Sequence, residues 1–179
     1  MKVNLGCGPH HADGWLNVDV APEVEPDLCA DVLTGLPIED GAAEAVYLGH
    51  VLEHVPWDQV PVFLAEVARI VAPDGRVMVV GPDVDRALDL VLAGTADRDL
   101  LTTTWESDQA FMVESEPWDQ ARHAWNCSED RVARAMDAAG FDRVLSFTRA
   151  IGALEGQGWP LVSGVAWQFA TLYYPKGNR

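Results

Sequence analysis

The sequence predicts an α/β fold built on a mainly parallel β-sheet. Three observations predict this class: strand and helix patterns alternate along the chain, several strands are short apolar runs, and Gly or Asp follows most of these runs. Residues 76–81, RVMVVG, form a continuous apolar run, as expected of a strand covered on both faces. Because 179 residues suffice for one hydrophobic core, we expect residues 1–179 to form a single domain.

The predicted strands lie at 2–6, 15–20, 27–32, 44–49, 76–81, 141–150 and 165–175. The predicted helices lie at 57–71, 83–94 and 128–139. The helix at 57–71 carries apolar residues at three- and four-residue spacing, and Pro73-Asp74-Gly75 is expected to end it. Ser128 is expected to cap the last helix, which Gly140 closes.

The connection between the first two strands is short. Only ten residues separate Gly8 from Asp19, too few for the rest of a strand, a full helix and a new strand. The first crossover helix is therefore expected to be shortened or absent. The sheet edge that this would expose can be covered by a second copy of the chain, so a homodimer is a further expectation.

Residues 95–127 are predicted to be an insertion after the fifth strand. Trp105, Trp118 and Trp125 lie there among acidic residues, with weak periodicity. An insertion at the carboxyl end of a strand is well placed to cover a site, and its tryptophans can stack on a ligand. Alternatively the tryptophans fill the edge of the core, and the pattern leaves both interpretations open.

Composition excludes several classes of partner. The formal net charge is −16 and the 12 Lys and Arg residues are scattered, which disfavours nucleic acid. No apolar run approaches the roughly 20 residues of a membrane span, and no signal peptide pattern is visible. Cys7, Cys29 and Cys127 form no CxxC pair, as expected of reduced thiols in a cytoplasmic protein.

Gly-rich and polar residues follow the predicted strands. Gly6-Cys7-Gly8 follows the first strand and Asp19 ends the second, where a carboxylate can accept both hydroxyls of a ribose. Further strand ends contribute Asp31, Gly49-His50 and Asp83. Because ligands of open parallel sheets bind at the carboxyl ends of the strands, we expect these residues to share one crevice.

These motifs resemble a known family. VNLGCG, NVDV and ADVLTGLPIEDGAAEAVYLGHVLEHV, over about residues 1–82, are similar to class I S-adenosylmethionine-dependent methyltransferases, in particular to a subgroup of small ones. HAWNCSEDRVARAMDAAGFDRV, at 123–144, resembles the segment that leads into the family's sixth strand. The resemblance implies a Rossmann-like class I methyltransferase fold, with a mainly parallel seven-stranded sheet, helices on both faces and S-adenosylmethionine as methyl donor.

The resemblance also implies which residues bind the donor. Gly6, Cys7 and Gly8 would line its methionine part, and Gly49 and His50 would flank the same part.

Its nucleoside part would meet the next two strand ends. Asp19 would bind the ribose hydroxyls and Val20 would pack on the adenine, whose edge Asp31 and Val32 would meet. Asn4 stands where the family has an acid, so it offers the donor's amino group a hydrogen bond but no charge.

The implied reaction is methyl transfer to a small-molecule acceptor, with S-adenosylhomocysteine as product. A hydroxyl acceptor needs a general base, and His54, His123 or Asp83 can serve. His54 is equally interpreted as a packing or capping residue, and His123 as a buried, hydrogen-bonded ring. The main alternative is a non-catalytic module that binds S-adenosylmethionine or S-adenosylhomocysteine.

A third interpretation is a zinc hydrolase, because His50-x-x-Glu53-His54 matches the inverted zinc-protease motif. That motif belongs on a long helix, whereas His50 directly follows a predicted strand and Pro56 allows at most one turn. No third ligand is identifiable in the sequence. We therefore expect no bound metal.

Overall fold

The computed structural model describes residues 1–101, 123–147, 158–160 and 167–177. Within these ranges seven strands form one sheet. They are β1 (Lys2–Leu5), β2 (Leu16–Asp19), β3 (Leu28–Cys29), β4 (Ala43–Gly49), β5 (Val71–Pro82), β6 (Phe141–Ser146) and β7 (Gln168–Pro175). Their order in the sheet is β3-β2-β1-β4-β5-β7-β6.

The sheet is mainly parallel, which confirms the predicted class. The strands β1 to β5 pair in parallel, whereas β7 is antiparallel to both of its neighbours, β5 and β6. Strand β7 follows β6 in the chain yet lies between β5 and β6.

Three helices lie near their predicted positions: α1 (Val60–Ile70), α2 (Val84–Leu92) and α3 (Glu129–Ala138). Helix α1 starts later than predicted, with Pro61 in its first turn, where a missing N–H costs nothing. It ends directly at Val71, whose backbone is already extended, so the prediction that Pro73-Asp74-Gly75 ends the helix is wrong. Ser128 occupies the N-cap position of α3, but its side chain makes no capping hydrogen bond.

The third predicted strand, 27–32, is shorter in the structure. Strand β3 has only two residues, and Val32–Thr34 form a 3-10 turn. The physical reason is Asp31, whose Oδ1 accepts the backbone N–H of Leu33 at 2.9 Å and caps this turn. A short side chain that bonds its own backbone competes with the sheet ladder.

Several predictions lie partly outside the described residues. Strands β6 and β7 are seen within the predicted ranges, while residues 148–150 and 165–166 of those ranges are not described. Of the predicted insertion at 95–127, the structure describes only 95–101 and 123–127. A cover over the site by this segment therefore stays a prediction.

The two faces of the sheet are covered differently. On one face Val46, Leu48, Val77 and Val79 pack against apolar residues of α1 and α3. On the other face Ala45, Tyr47, Met78 and Val80 of the same strands pack against Trp15, Ala12 and Trp159. Residues alternate between the faces because successive strand side chains point in opposite directions.

The second face is where a helix is missing. Right-handed crossovers place the β1–β2 connection on the face opposite to the β4–β5 connection, because the strand order reverses at β1. Residues 6–15 contain no helix, which confirms the predicted loss of the first crossover helix. Trp15 and Trp159, with ring centroids 5.7 Å apart, cover the sheet there instead.

Among the described residues, none of the helices is both long and apolar enough to span a bilayer.

Candidate active site

The predicted crevice lies where the strand order reverses. The chain passes from β1 to β2 on one side, while β4 pairs with β1 on the other. Gly6 N–H donates to Val18 O at 2.8 Å and Gly8 N–H donates to Asp19 Oδ2 at 2.8 Å, so the glycine turn is fastened to the end of β2. The structure thus brings the glycine turn and Asp19 to one edge of the sheet, as the motif spacing predicts.

Gly6 and Gly8 have positive φ angles, +65° and +49°, but they serve different purposes. A Cβ on Gly6 would lie 2.4 Å from Cγ2 of Val51, so this glycine permits close packing against the segment that follows β4. A Cβ on Gly8 would meet nothing within 4 Å, which leaves open space at the rim. Gly8 is therefore placed where a ligand can approach the backbone.

Cys7 lies between these glycines and is 4% exposed. Burial, together with the charge of Asp19, raises the pKa of Cys7 to about 12. Its thiol is therefore neutral at physiological pH and packs under the rim. A buried, neutral thiol has the character of a packing group and not of a nucleophile, while its contact with the donor stays a prediction.

Asp19 is half-buried and joins three segments. Its Oδ2 accepts from Gly8 N–H and its Oδ1 accepts from Ala21 N–H at 3.0 Å. Each carboxylate oxygen has a further lone pair, so both can still accept a ribose hydroxyl. The neighbouring Val20 is 47% exposed, which offers an apolar surface beside that carboxylate.

Asp31 and Val32 differ in their availability. The carboxylate of Asp31 is half-buried and caps the turn after β3, one oxygen being used for Leu33 N–H. Val32 is only 8% exposed and belongs to the main core. Of the two valines predicted to contact an adenine, Val20 is the one with open surface.

Asn4 belongs to a network of hydrogen bonds that holds the β1–β2 connection, where the first crossover helix is missing. Its Nδ2 donates to Asn17 Oδ1 at 3.0 Å and to His10 O at 3.1 Å. Asn17 in turn donates to Asp27 Oδ2 at 2.8 Å and accepts from Ala12 N–H at 2.8 Å. Side-chain amides thus hold the loop that a helix would otherwise form, and the role of Asn4 toward the donor stays a prediction.

The turn after β4 holds His50 in an unusual conformation. Its φ is +55°, a left-handed value that β-carbon-bearing residues rarely adopt. His50 N–H donates to Val80 O at 2.9 Å, its Nδ1–H donates to Glu53 Oε1 at 3.0 Å, and its Nε2 accepts from the amide of Gln168. Both ring nitrogens are therefore engaged within the protein, and the ring face and the backbone remain for the predicted donor contact.

Glu53 is the buried centre of this region, with 1% of its surface exposed. Burial alone would raise the pKa of Glu53, but the hydrogen bond from His50 and the charges of His50, His54 and His123 outweigh it and lower the pKa. The group is thus a buried carboxylate surrounded by imidazoles. The rings of His54 and His123 meet edge to face, with centroids 5.1 Å apart.

The third predicted base, Asp83, has a structural role. It lies at the end of β5, is 8% exposed, and its Oδ1 accepts from Arg86 N–H at 3.4 Å as the N-cap of α2. Burial raises the pKa of Asp83. The structure therefore brings His54 and His123 together, while Asp83 serves as a helix cap.

The contacts of two residues at this site were not predicted from the sequence. Glu53 entered only through the zinc motif, and Gln168 was not singled out. The 3-10 turn Leu52–His54 confirms that at most one turn follows β4. Gln168 reaches His50 only because β7 pairs with β5, a neighbour relation that no local pattern reveals.

Comparison with known proteins shows which proteins are similar to this chain in sequence and in fold. Residues 4–79 match the family model of a methyltransferase domain. No curated protein matches the chain in sequence. Among solved structures, it is similar to the TehB-like S-adenosylmethionine-dependent methyltransferase of Corynebacterium glutamicum, at 14% identity and a TM-score of 0.57, covering 98% of this chain and 80% of that chain.

Two further structures are similar. One is the 1,6-didemethyltoxoflavin-N1-methyltransferase of Burkholderia thailandensis with bound 1,6-didemethyltoxoflavin and S-adenosylhomocysteine (13% identity, TM-score 0.56, 97% and 69% of the two chains covered). The other is the glycopeptide N-methyltransferase MtfA complexed with S-adenosylmethionine (14% identity, TM-score 0.59, 98% and 81% covered).

The family match and the fold confirm the predicted resemblance to the class I S-adenosylmethionine-dependent methyltransferases. Residues 4–79 thus resemble a methyltransferase domain, and the fold of the described residues is that of these class I structures.

Proposed function

We propose that the protein transfers the methyl group of S-adenosylmethionine to a small-molecule acceptor, with the donor in the crevice at the reversal of the strand order. The observation that carries this proposal is the junction of Gly8, Asp19 and Val20: open backbone, a carboxylate with free lone pairs and an exposed apolar side chain lie side by side. These three features suit a methionine part, a ribose and an adenine in that order.

The donor, when bound, supplies a methyl group that is already electrophilic. The residues of this chain have to hold the acceptor in line with that methyl group, exclude water and accept a proton where the acceptor is a hydroxyl. Orientation can supply much of the acceleration, because effective molarities of well-placed groups reach about 10⁵–10⁸ M. His54 and His123 are the proposed proton acceptors, since their rings lie together on the segment that follows β4 and on the segment that precedes α3.

Two facts support a small acceptor. The similar proteins named above include a 1,6-didemethyltoxoflavin methyltransferase and a glycopeptide methyltransferase, which by their names modify compounds of limited size. The formal net charge of −16 opposes a nucleic acid. The single-domain organisation, the cytoplasmic location and the homodimer stay predictions.

The donor site is tested by replacing Asp19. In Asp19→Ala, two charge-assisted hydrogen bonds of about 1.5–3 kcal/mol each are lost, so the affinity for S-adenosylhomocysteine is expected to fall on the order of 10²–10⁴-fold. Isothermal titration calorimetry measures this affinity. Asp19→Asn keeps one acceptor oxygen and the shape of the side chain. Its affinity for S-adenosylhomocysteine should lie between that of the wild type and that of Asp19→Ala.

Asp74→Ala is the matched control, because Asp74 is exposed and lies in the first part of β5, away from the carboxyl ends. It should bind S-adenosylhomocysteine as the wild type does. Equal affinities for Asp19→Ala, Asp74→Ala and the wild type would contradict the proposed donor site. Binding without methyl transfer to any compound of a metabolite pool would favour the alternative, a non-catalytic binding module.

A further inference from the structure

Glu53, His54 and His123 bring three potential metal ligands together. One carboxylate oxygen and one nitrogen of each ring lie within 4.8 Å of one another. Carboxylate and imidazole groups are ligands of Zn²⁺ and related first-row divalent ions, and three protein ligands with an open fourth position are typical of catalytic zinc sites. The sequence analysis found no third ligand, because His123 is far from the other two in the chain.

The two segments that carry these ligands are fastened to each other. Ala124 N–H donates to Glu53 O at 2.6 Å, which places the neighbour of His123 against the turn. The indole N–H of Trp125 donates to Leu52 O at 3.1 Å and to Val55 O at 3.0 Å, on either side of that turn. The relative position of the ligands is thus set by the fold itself, as a preorganised site requires.

A second layer of contacts orients the carboxylate. His50 holds Oε1 of Glu53 at 3.0 Å and is itself held by Gln168 from β7. Hydrogen-bonded ligands of this kind are usual in metal sites, where outer partners fix the orientation of the inner ones. Since a carboxylate has two oxygens with several lone pairs, this bond is compatible with ligation of an ion.

The positive charge beside Glu53 comes from imidazoles, which carry it only when they are protonated. A carboxylate that is 1% exposed requires a nearby positive charge to offset the loss of hydration. Among the residues that the structure describes, no lysine or arginine forms an ion pair with Glu53, and its ion-pair partner is His50. A divalent cation between the carboxylate and the two imidazoles would supply this positive charge without protonation of the rings.

We propose that the protein binds one Zn²⁺-like divalent transition-metal ion through Glu53, His54 and His123. This set of ligands differs from the zinc motif of the sequence. His50 would not bind the ion but forms a hydrogen bond with Glu53, and His123 would be the third ligand in its place. Val51 of the same segment packs against Gly6, so the segment that carries Glu53 and His54 adjoins the proposed donor turn. An ion there would bind an acceptor oxygen and lower its pKa, and it would replace the proton-accepting role that the proposed function gives to His54 and His123. This role rests on the proposed function, whereas the metal site does not.

The test uses the full chain, stripped with a chelator, loaded separately with Zn²⁺, Mn²⁺ or Mg²⁺ and dialysed. Elemental analysis is expected to find one equivalent of Zn²⁺ in the wild type and no retained Mg²⁺, which prefers oxygen ligands. His54→Ala and His123→Ala should lose the retained zinc. His50→Ala, which removes an outer partner, should weaken zinc binding by about 10–100-fold.

The matched control is the double variant His10→Ala/His11→Ala, which removes two exposed adjacent histidines that can chelate zinc adventitiously. It should retain zinc as the wild type does. A wild type without retained zinc, or zinc lost from the control but kept by His123→Ala, would overturn the proposal. Titration with S-adenosylhomocysteine separates the two proposals: donor binding without metal rejects only the metal site, and metal without donor binding rejects only the proposed function.

Discussion

Contacts with its neighbours hold His50 in a left-handed backbone conformation that is unfavourable for a residue with a β-carbon. A left-handed conformation costs a residue with a β-carbon roughly 1–2 kcal/mol, and such strain persists where surrounding contacts impose it. Here the contacts come from Val80, Glu53 and Gln168, on three different elements. Strained residues of this kind gather at functional sites, which agrees with the location of His50 at the end of β4.

The two glycines of the donor turn give a prediction at the same scale. Gly8→Ala should lower the free energy of unfolding by about 1–2 kcal/mol, the cost of a left-handed alanine. Gly6→Ala should cost at least about 1 kcal/mol more, because its new methyl group overlaps the side chain of Val51. Urea unfolding of both variants measures the difference.

A Val51→Ala background is the control for that comparison. Val51→Ala removes Cγ2, the atom nearest to the new methyl group, but keeps Cβ, which would lie 2.7 Å from it, so the extra cost of Gly6→Ala should shrink without vanishing. Equal costs already in the wild-type background would show that the close packing of Gly6 and Val51 is wrong.

At the scale of elements, Glu66 and Arg69 hold α1 against the segment before β4, where Arg69 also forms an ion pair with Asp40 at 2.6 Å. Arg69 donates to Ile38 O at 2.7 Å and to Leu36 O at 3.0 Å, and Glu66 accepts from Leu36 N–H at 2.6 Å. Glu66 and Arg69 also bond each other at 2.6 and 2.8 Å. These contacts hold the last turns of α1 against residues 36–40, which lead into β4.

Glu66→Gln should lower the free energy of unfolding at neutral pH by about 1–3 kcal/mol, the worth of hydrogen bonds to a charged group. The hydrogen bond from Arg69, against the effect of burial, lowers the pKa of Glu66 in the folded protein. A lowered pKa stabilises the fold above the unfolded value of roughly 4.3, and this contribution is lost as the pH falls through the folded pKa.

The difference between wild type and Glu66→Gln at neutral pH should consequently shrink in acid, as the pH falls through the lowered pKa of Glu66 in the folded protein. Glu39→Gln, at an exposed position near the same segment, should match the wild type at both pH values. A Glu66→Gln deficit that is unchanged in acid would argue against a charge-based contact.

The elements themselves were predictable to different degrees. Helix α1 was evident because Val60, Phe63, Leu64, Val67 and Ile70 recur on one side, and all five are buried. The length of strand β3 was overestimated, because the pattern of apolar residues does not reveal that Asp31 caps a turn there. The positions of the residues proposed to bind the donor, after β1, β2 and β4, were predictable, since the end of a strand is visible in the sequence. His123 and Gln168, by contrast, reach the region of Glu53 and His50 from distant segments.

At the scale of the molecule, the sheet depends on aromatic packing where a crossover helix is missing. Trp15 is 9% exposed, contacts Trp159 and lies under the ammonium group of Lys2, 5.7 Å from its ring. Trp15→Ala should therefore lower the free energy of unfolding by about 3–5 kcal/mol, as expected of a buried tryptophan. Denaturant unfolding measures this loss.

Leu92→Ala provides the comparison, because Leu92 is 76% exposed and its truncation should change stability little. If Trp15→Ala were as stable as Leu92→Ala, this face of the sheet would not depend on the tryptophan, and another segment would have to cover it.

The place of β7 has a consequence for biosynthesis. The chain is synthesised from its amino end, so β5 and β6 are made before β7. Each of them has an unpaired edge until β7 inserts between them. That segment also brings the amide that anchors the imidazole of His50. A nascent or truncated chain that lacks β7 therefore contains the glycine and histidine motifs but lacks the hydrogen bond that holds the His50 ring in place.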